Sequence, residues 1–153
     1  MNAKRILCPV DFSPTSDFAL KFASSLARDN EATLYIVHVE DTYAHYETGQ
    51  HTMYPMDSEV DSSKLMKMLP KATNVKFEED ILHGDTAEEI LRFADEKGID
   101  LIVLGSHGRK GISRLLMGSV AEAIVRRADV PVMTVKPTEK DLASTEEKTS
   151  EVV

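Results

Sequence analysis

The segment from Leu101 to Val120, LIVLGSHGRKGISRLLMGSV, limits what this chain can fold into more than any other. Leu101-Ile102-Val103-Leu104 is a continuous apolar run of strand length, the pattern of a strand buried on both faces in a parallel sheet. The run stops at Gly105-Ser106-His107-Gly108. After nine further residues, Gly118-Ser119 opens a new apolar repeat at helical spacing. Glycines admit φ > 0 and let a ligand come close to the main chain, and Ser119 stands near the cap of the coming helix. A strand, a glycine turn and a glycine-led helix start gather main-chain N–H groups around one point, an arrangement suited to phosphate. The segment predicts a phosphate-bearing ligand.

The remainder reads as alternating strands and helices. Arg5 to Val10 is a strand that ends around Pro9, which cannot donate to a ladder. Ser13-Pro14 caps and starts a helix whose buried stripe is Phe18, Ala19, Phe22, Ala23, Leu26 and Ala27, with Asp29-Asn30 at its end. Ala32 to Val39 is a nearly all-apolar central strand, in which His38 reads as a packed, hydrogen-bonded histidine. Glu40 to Asp57 has no periodicity and holds Tyr43, Tyr46 and Tyr54, which reads as a lid, a binding loop or a disordered stretch. His45, Glu47 and His51 within it match no trusted metal spacing. Ser58 to Leu69 is a weaker helix, and Val75 to Leu82 is a strand near a sheet edge. After a turn at His83-Gly84-Asp85, Asp85 and Glu88 resemble a capping box. Ala87, Ile90, Leu91 and Ala94 make that helix's stripe, and Gly98 stops it. The helix from Ser119 turns Val120, Ala121, Ile124, Val125 and Ala128 inward, with Arg126 and Arg127 suiting its C-terminal dipole. Val130 to Val135 is the last strand.

Five strands alternating with four helices make a single α/β domain with a parallel sheet, doubly wound because crossovers are right-handed. In such sheets ligands bind beyond the carboxyl ends of the strands where the winding reverses. Residues 1–137 form that domain, and the polar, aperiodic 138–153 reads as a disordered tail.

Charge narrows the partners. The chain of 153 residues carries 18 basic and 26 acidic side chains, a net −8, which argues against nucleic acid and against an anionic membrane surface. Arg109, Lys110 and Arg114 lie inside the glycine segment, either as phosphate contacts or as solvated loop charges. No run is long enough to span a membrane, and Met1 to Arg5 leads straight into a strand, not a signal-peptide core. One cysteine, Cys8, excludes an internal disulfide and suits a reducing cytoplasm.

The spacing Gly105-x-x-Gly108, nine residues, Gly118-Ser119 resembles the nucleotide-binding signature of universal stress proteins of the ATP-binding type. So do Ile6-Leu7-Cys8-Pro9-Val10-Asp11 and Val130-Pro131-Val132-Met133-Thr134-Val135, and the likeness covers about residues 4–137. The resemblance implies strand order 3-2-1-4-5, the adenine-nucleotide α-hydrolase-like arrangement, with the switch between the first and fourth strands. It implies an ATP site with Mg²⁺ or Mn²⁺: Pro9 and Val10 walling the adenine, Asp11 on the ribose, Val39 offering main-chain groups to the base. Gly105, Gly108, Arg109, Gly118, Ser119 and Val120 would take the phosphates. It also implies a two-fold homodimer through Val130–Lys136, an edge strand with little charge to guard it. Asp11 has a plainer reading as a turn aspartate, and the glycines as tight turns.

Other phosphate motifs fit worse. There is no Gly-x-x-x-x-Gly-Lys run, and the first strand is followed by no glycine, as a dinucleotide fingerprint requires. A receiver needs an aspartate pair after the first strand, whereas Asp11-Phe12 holds one acid. No nucleophile paired with a base stands near the glycines, and His107 reads as a loop-stabilising residue. The expected function is a nucleotide-dependent switch in stress response, with hydrolysis at most slow. The alternatives are an interaction or chaperone-like protein whose glycines are structural, and a slow ATPase or autophosphorylating enzyme.

Overall fold

The computed structural model describes residues 1–41, 67, 74–107, 117–141 and 143. The elements are β1 (Arg5–Pro9), α1 (Pro14–Asp29), β2 (Thr33–Asp41), β3 (Lys76–Gly84), α2 (Thr86–Glu96), β4 (Leu101–Gly105), α3 (Ser119–Arg127) and β5 (Val132–Val135). The strands form one sheet of order β3-β2-β1-β4-β5, and every pairing is parallel. The expected helix at Ser58–Leu69 and the tyrosine-bearing loop lie outside the described residues, except for Glu40, Asp41 and Lys67.

Alternate residues of the central strands serve two apolar layers, because successive side chains of a strand point to opposite faces. Ile6, Cys8, Leu34, Ile36, Leu101 and Val103 pack beneath α1 with Ala19, Leu20, Ala23 and Ala27. Leu7, Val37, Val39, Ile102 and Leu104 face α2 and α3 with Ile90, Phe93, Ala94, Ala121 and Ile124. Helices therefore cover both faces, as a parallel sheet requires.

Local chemistry sets the helix ends. Ser13 is the N-cap of α1 with Pro14 in its first turn, and the Ser13 hydroxyl accepts from the Ser16 amide at 3.1 Å. Asp85 caps α2, its Oδ1 accepting from the Glu88 amide at 2.9 Å. At the other end of α2, Gly98 takes φ +60°, its amide donates to Asp95 O at 3.1 Å and the Ile99 amide to Ala94 O at 2.9 Å. That pair of bonds is a Schellman ending, and its left-handed residue is where glycine costs least.

Four details depart from the sequence reading. β2 runs on to Asp41, because Glu40 and Asp41 find partners in His83 and Gly84 of β3. For the same reason His83 and Gly84 belong to a strand and not to a turn. In α1, Phe22 is 43% exposed and Leu20 is buried: the helix sits rotated, so Leu20 takes the place assigned to Phe22. In α3, Val120 is 37% and Val125 44% exposed, and only Ala121 and Ile124 are fully inward. α3 meets this core through Ala121 and Ile124, with Ala123 and Ala128 partly buried beside them.

Candidate functional site

The sheet reverses its winding between β1 and β4, and the carboxyl ends of β1, β2 and β4 together with the start of α3 enclose a cavity of about 500 Å³. This volume lies in the range of small-molecule sites, roughly 300–1,000 Å³. Pro9, Val10, Asp11, Val39, Gly105, Gly118, Ser119 and Val120 all line it. Gly108 and Arg109, with Lys110 and Arg114, lie outside the described residues.

The two glycines that frame the segment differ in what they require. A Cβ on Gly105 would stand 2.7 Å from Thr15 Cγ2 and 3.3 Å from the Thr15 carbonyl carbon. Gly105 is therefore demanded by the close passage of α1 over the end of β4 and serves the fold whatever else it does. Gly118 is the N-cap of α3 at φ −60° and ψ 154°, backbone that any residue adopts. Conformation does not ask for glycine there; the lack of a side chain opens the cavity wall. The Gly118 amide donates to Ser106 O at 2.7 Å, so the end of β4 and the start of α3 are pinned together.

The N-cap of α3 carries no side-chain hydrogen bond. The first intrahelical bond is from the Glu122 amide to Gly118 O at 2.9 Å. The amides of Ser119, Val120 and Ala121 thus precede the helix's own bonding, at its positive end, beside the cavity. His107 also lines the cavity, and its Nδ1 lies 2.9 Å from the Ser106 hydroxyl. Ser106 is buried and is not part of the cavity wall. Its hydroxyl anchors the imidazole, the loop-stabilising role expected of His107.

Asp11 ends β1 and does two things. Its Oδ1 accepts from the Ser13 amide at 3.0 Å, which is the turn role, while the residue also faces the cavity. Phe12, next in the chain, takes φ +63°, a left-handed conformation that costs a non-glycine residue about 1–2 kcal/mol. His38 braces this turn: its Nδ1 lies 2.8 Å from Val10 O, and its ring centroid is 4.4 Å from that of Phe12. The packed, hydrogen-bonded reading of His38 holds, although the residue also lines the cavity.

The inner wall was not selected from the sequence. Thr86 and Ile90 from α2, Leu104 from β4 and Ile124 from α3 close the cavity with apolar surface, and Asp41 stands at the end of β2. Ile90 and Ile124 carry only core signals in the sequence; Thr86, one residue after a capping aspartate, is the one position whose local pattern places it at a helix mouth. The charged lining residues described, Asp11 and Asp41, are both acidic. Among the described residues no group of three or more His, Cys, Asp or Glu could hold a metal ion, and no helix is long and apolar enough to cross a membrane.

Comparison with known proteins gives this geometry a context. Residues 2–136 match the model of the universal stress protein family. Universal stress protein MJ0531 of Methanocaldococcus jannaschii is 33% identical over 144 residues, covering 90% of this chain and 85% of that protein. The solved structure of MJ0577 from the same organism superposes with a TM-score of 0.77 at 28% identity, covering 91% of this chain and 99% of that one. A universal stress protein from Archaeoglobus fulgidus, solved in complex with dAMP, shares the fold at a TM-score of 0.61 and 24% identity, over 89% of this chain and all of that one (100%). With the family model matched over nearly its whole length, the chain belongs to the universal stress protein family.

Proposed function

We propose that this protein binds an adenine nucleotide, ATP with Mg²⁺ or Mn²⁺, at the crevice between β1 and β4, and acts as a nucleotide-dependent switch in stress response. One observation carries the reading. Three stretches far apart in the chain, Pro9–Asp11, Val39 and the two ends of the 105–120 segment, each singled out for nucleotide chemistry, line a single cavity at the point where the sheet reverses. The residues present suit such a ligand. Apolar walls at Val10, Val39, Ile90 and Ile124 suit a base, the Asp11 carboxylate suits ribose hydroxyls, and the amides at the start of α3 suit phosphate. The dAMP held by the A. fulgidus relative supports adenine as the base. The divalent ion would be carried mainly by the phosphates and water, the usual habit of Mg²⁺.

The same reading makes the protein a cytoplasmic homodimer joined through Val130–Lys136. Its support is that β5 is a sheet edge whose outward main-chain groups invite a second strand.

Calorimetric titration of nucleotide-free protein with ATP, ADP and AMP in the presence of Mg²⁺ tests the site, with Gly118→Val as the control. Saturable ATP binding that disappears in a folded Gly118→Val protein is the expected result. A nucleotide-free wild type that takes up no adenine nucleotide would refute the reading.

A further inference from the structure

The alternation of the β1–β2 ladder fixes which main-chain groups face which neighbour. Lys4 O accepts from the Thr33 amide at 2.9 Å, and the Val10 amide donates to Val37 O at 2.8 Å. Even-numbered residues of β1 thus bond to odd-numbered residues of β2, and the next rung would run from the Val39 amide to Val10 O. Val10 O instead takes the ring of His38, Nδ1 to oxygen at 2.8 Å. A carbonyl only accepts, so Nδ1 carries the proton and donates. The imidazole stands in for the Val39 amide, on the side where Val39 lines the cavity.

The same ring lies against Phe12, 4.4 Å between centroids, at the residue with φ +63°. Phe12 is followed by Ser13, whose amide holds Asp11 Oδ1. One side chain therefore supports both the open rung and the left-handed turn that sets the Asp11 carboxylate.

We infer that His38 is a positioning residue of the base and ribose end of the site. Val10 O is turned to the ring and takes no bond from the Val39 amide, which is left for the ligand, and by bracing Phe12 the same ring presents Asp11. This rests on the nucleotide reading, and it gives that site a part that neither the glycine spacing nor the strand-end aspartate supplies.

Two variants and two probes test it. His38→Leu removes the donor and keeps an apolar body against Phe12; His38→Asn keeps an N–H close to the place of Nδ1. The His38→Leu protein is expected to bind Mg-ATP at least about tenfold more weakly, with His38→Asn recovering most of the loss. Inorganic tripolyphosphate with Mg²⁺, which reaches only the phosphate end, should bind all three proteins alike. In ligand-free protein, the Val39 amide should exchange with solvent rapidly in the wild type and become protected in His38→Leu, where the rung to Val10 O can close. ATP affinity unchanged in His38→Leu, or tripolyphosphate affinity lost in parallel with ATP, would overturn the assignment. A wild type that binds no ATP defeats the nucleotide reading alone. Val39 exchange then decides whether His38 holds the rung open: equal protection in wild type and His38→Leu rejects it, and the expected contrast upholds it. Chemical-shift spectra of each variant confirm the fold before either probe is read.

Discussion

At the scale of single residues, two glycines of one motif do different work, and substitution should separate them. Gly105→Ala puts a methyl group 2.7 Å from Thr15 Cγ2, so the first turn of α1 must move. Overpacking of that kind costs about 1–3 kcal/mol, measured as a lower midpoint in urea unfolding. Gly118→Ala should leave the midpoint within about 1 kcal/mol, since its backbone suits alanine. Equal destabilisation by both would contradict the assignment of Gly105 to helix packing. Cys8 is a second case. Burial pushes its thiol up to about 12 from an ordinary 9.0, so the native protein should resist alkylation at neutral pH while the urea-unfolded chain reacts. The sign with pH follows. Between about 9 and 12 the unfolded thiol ionises and the folded one does not, so its contribution to stability is lost as pH rises, at up to about 1.4 kcal/mol per pH unit. Cys8→Ala should flatten that part of the alkaline slope; an identical slope would show that the thiol is not buried as described.

At the scale of elements, the ends of helices were legible in the sequence and their rotation was not. Ser13-Pro14, Asp85 and Gly98 act through bonds to residues a few positions away, so their signals are local and survive folding unchanged. Leu20 against Phe22, or Ala121 against Val120, is decided by how the helix settles on the sheet, which no window of sequence contains. The extension of β2 to Asp41 is likewise a pairing effect, made by His83 and Gly84 more than forty residues on. One capping contact between elements is equally non-local. Asp100 Oδ2 accepts from the amides of Lys4 and Arg5 at 2.9 and 2.8 Å, and its own amide donates to Arg5 O at 2.8 Å. This carboxylate fastens the start of β1 to the start of β4. Asp100→Ala should destabilise the protein by about 1–3 kcal/mol, seen in thermal and urea melts. A change below about 0.5 kcal/mol would mean that water serves those amides as well.

At the scale of the whole molecule, the alternation of apolar runs gives the parallel α/β class, the family likeness implies the strand order, and the sheet has that order. The candidate cavity was half legible: its rim is made of motif residues, while Thr86, Ile90, Leu104 and Ile124 read as ordinary helix and strand interior until the fold brings them around one space. The proposed dimer can be tested without disturbing the monomer. Ile102 donates to Pro131 O and Ser106 to Val135 O, so odd-numbered residues of β5 bond to β4, and the main chain of Thr134 faces outward. Thr134→Pro removes an outward donor and no rung of the sheet, a place where proline is tolerated. The wild type is expected to sediment as a dimer and Thr134→Pro as a folded monomer. A wild type that sediments as a monomer, or a variant that remains dimeric, would rule this edge out as the joint.

The cavity has no owner among the elements. Its walls come from residue 9 at one extreme and residue 124 at the other, and the ends of β1 and β2 must meet α2, β4 and α3 before the space is complete. Whatever occupies it will distinguish the finished fold from every partly folded state, because only the finished fold has the space. Occupancy then becomes part of the protein's lifetime: a ligand at 100 times its dissociation constant adds about 2.7 kcal/mol to the folded state, lowering the population open to proteases about a hundredfold. A protein of this design carries the level of its ligand into its own persistence.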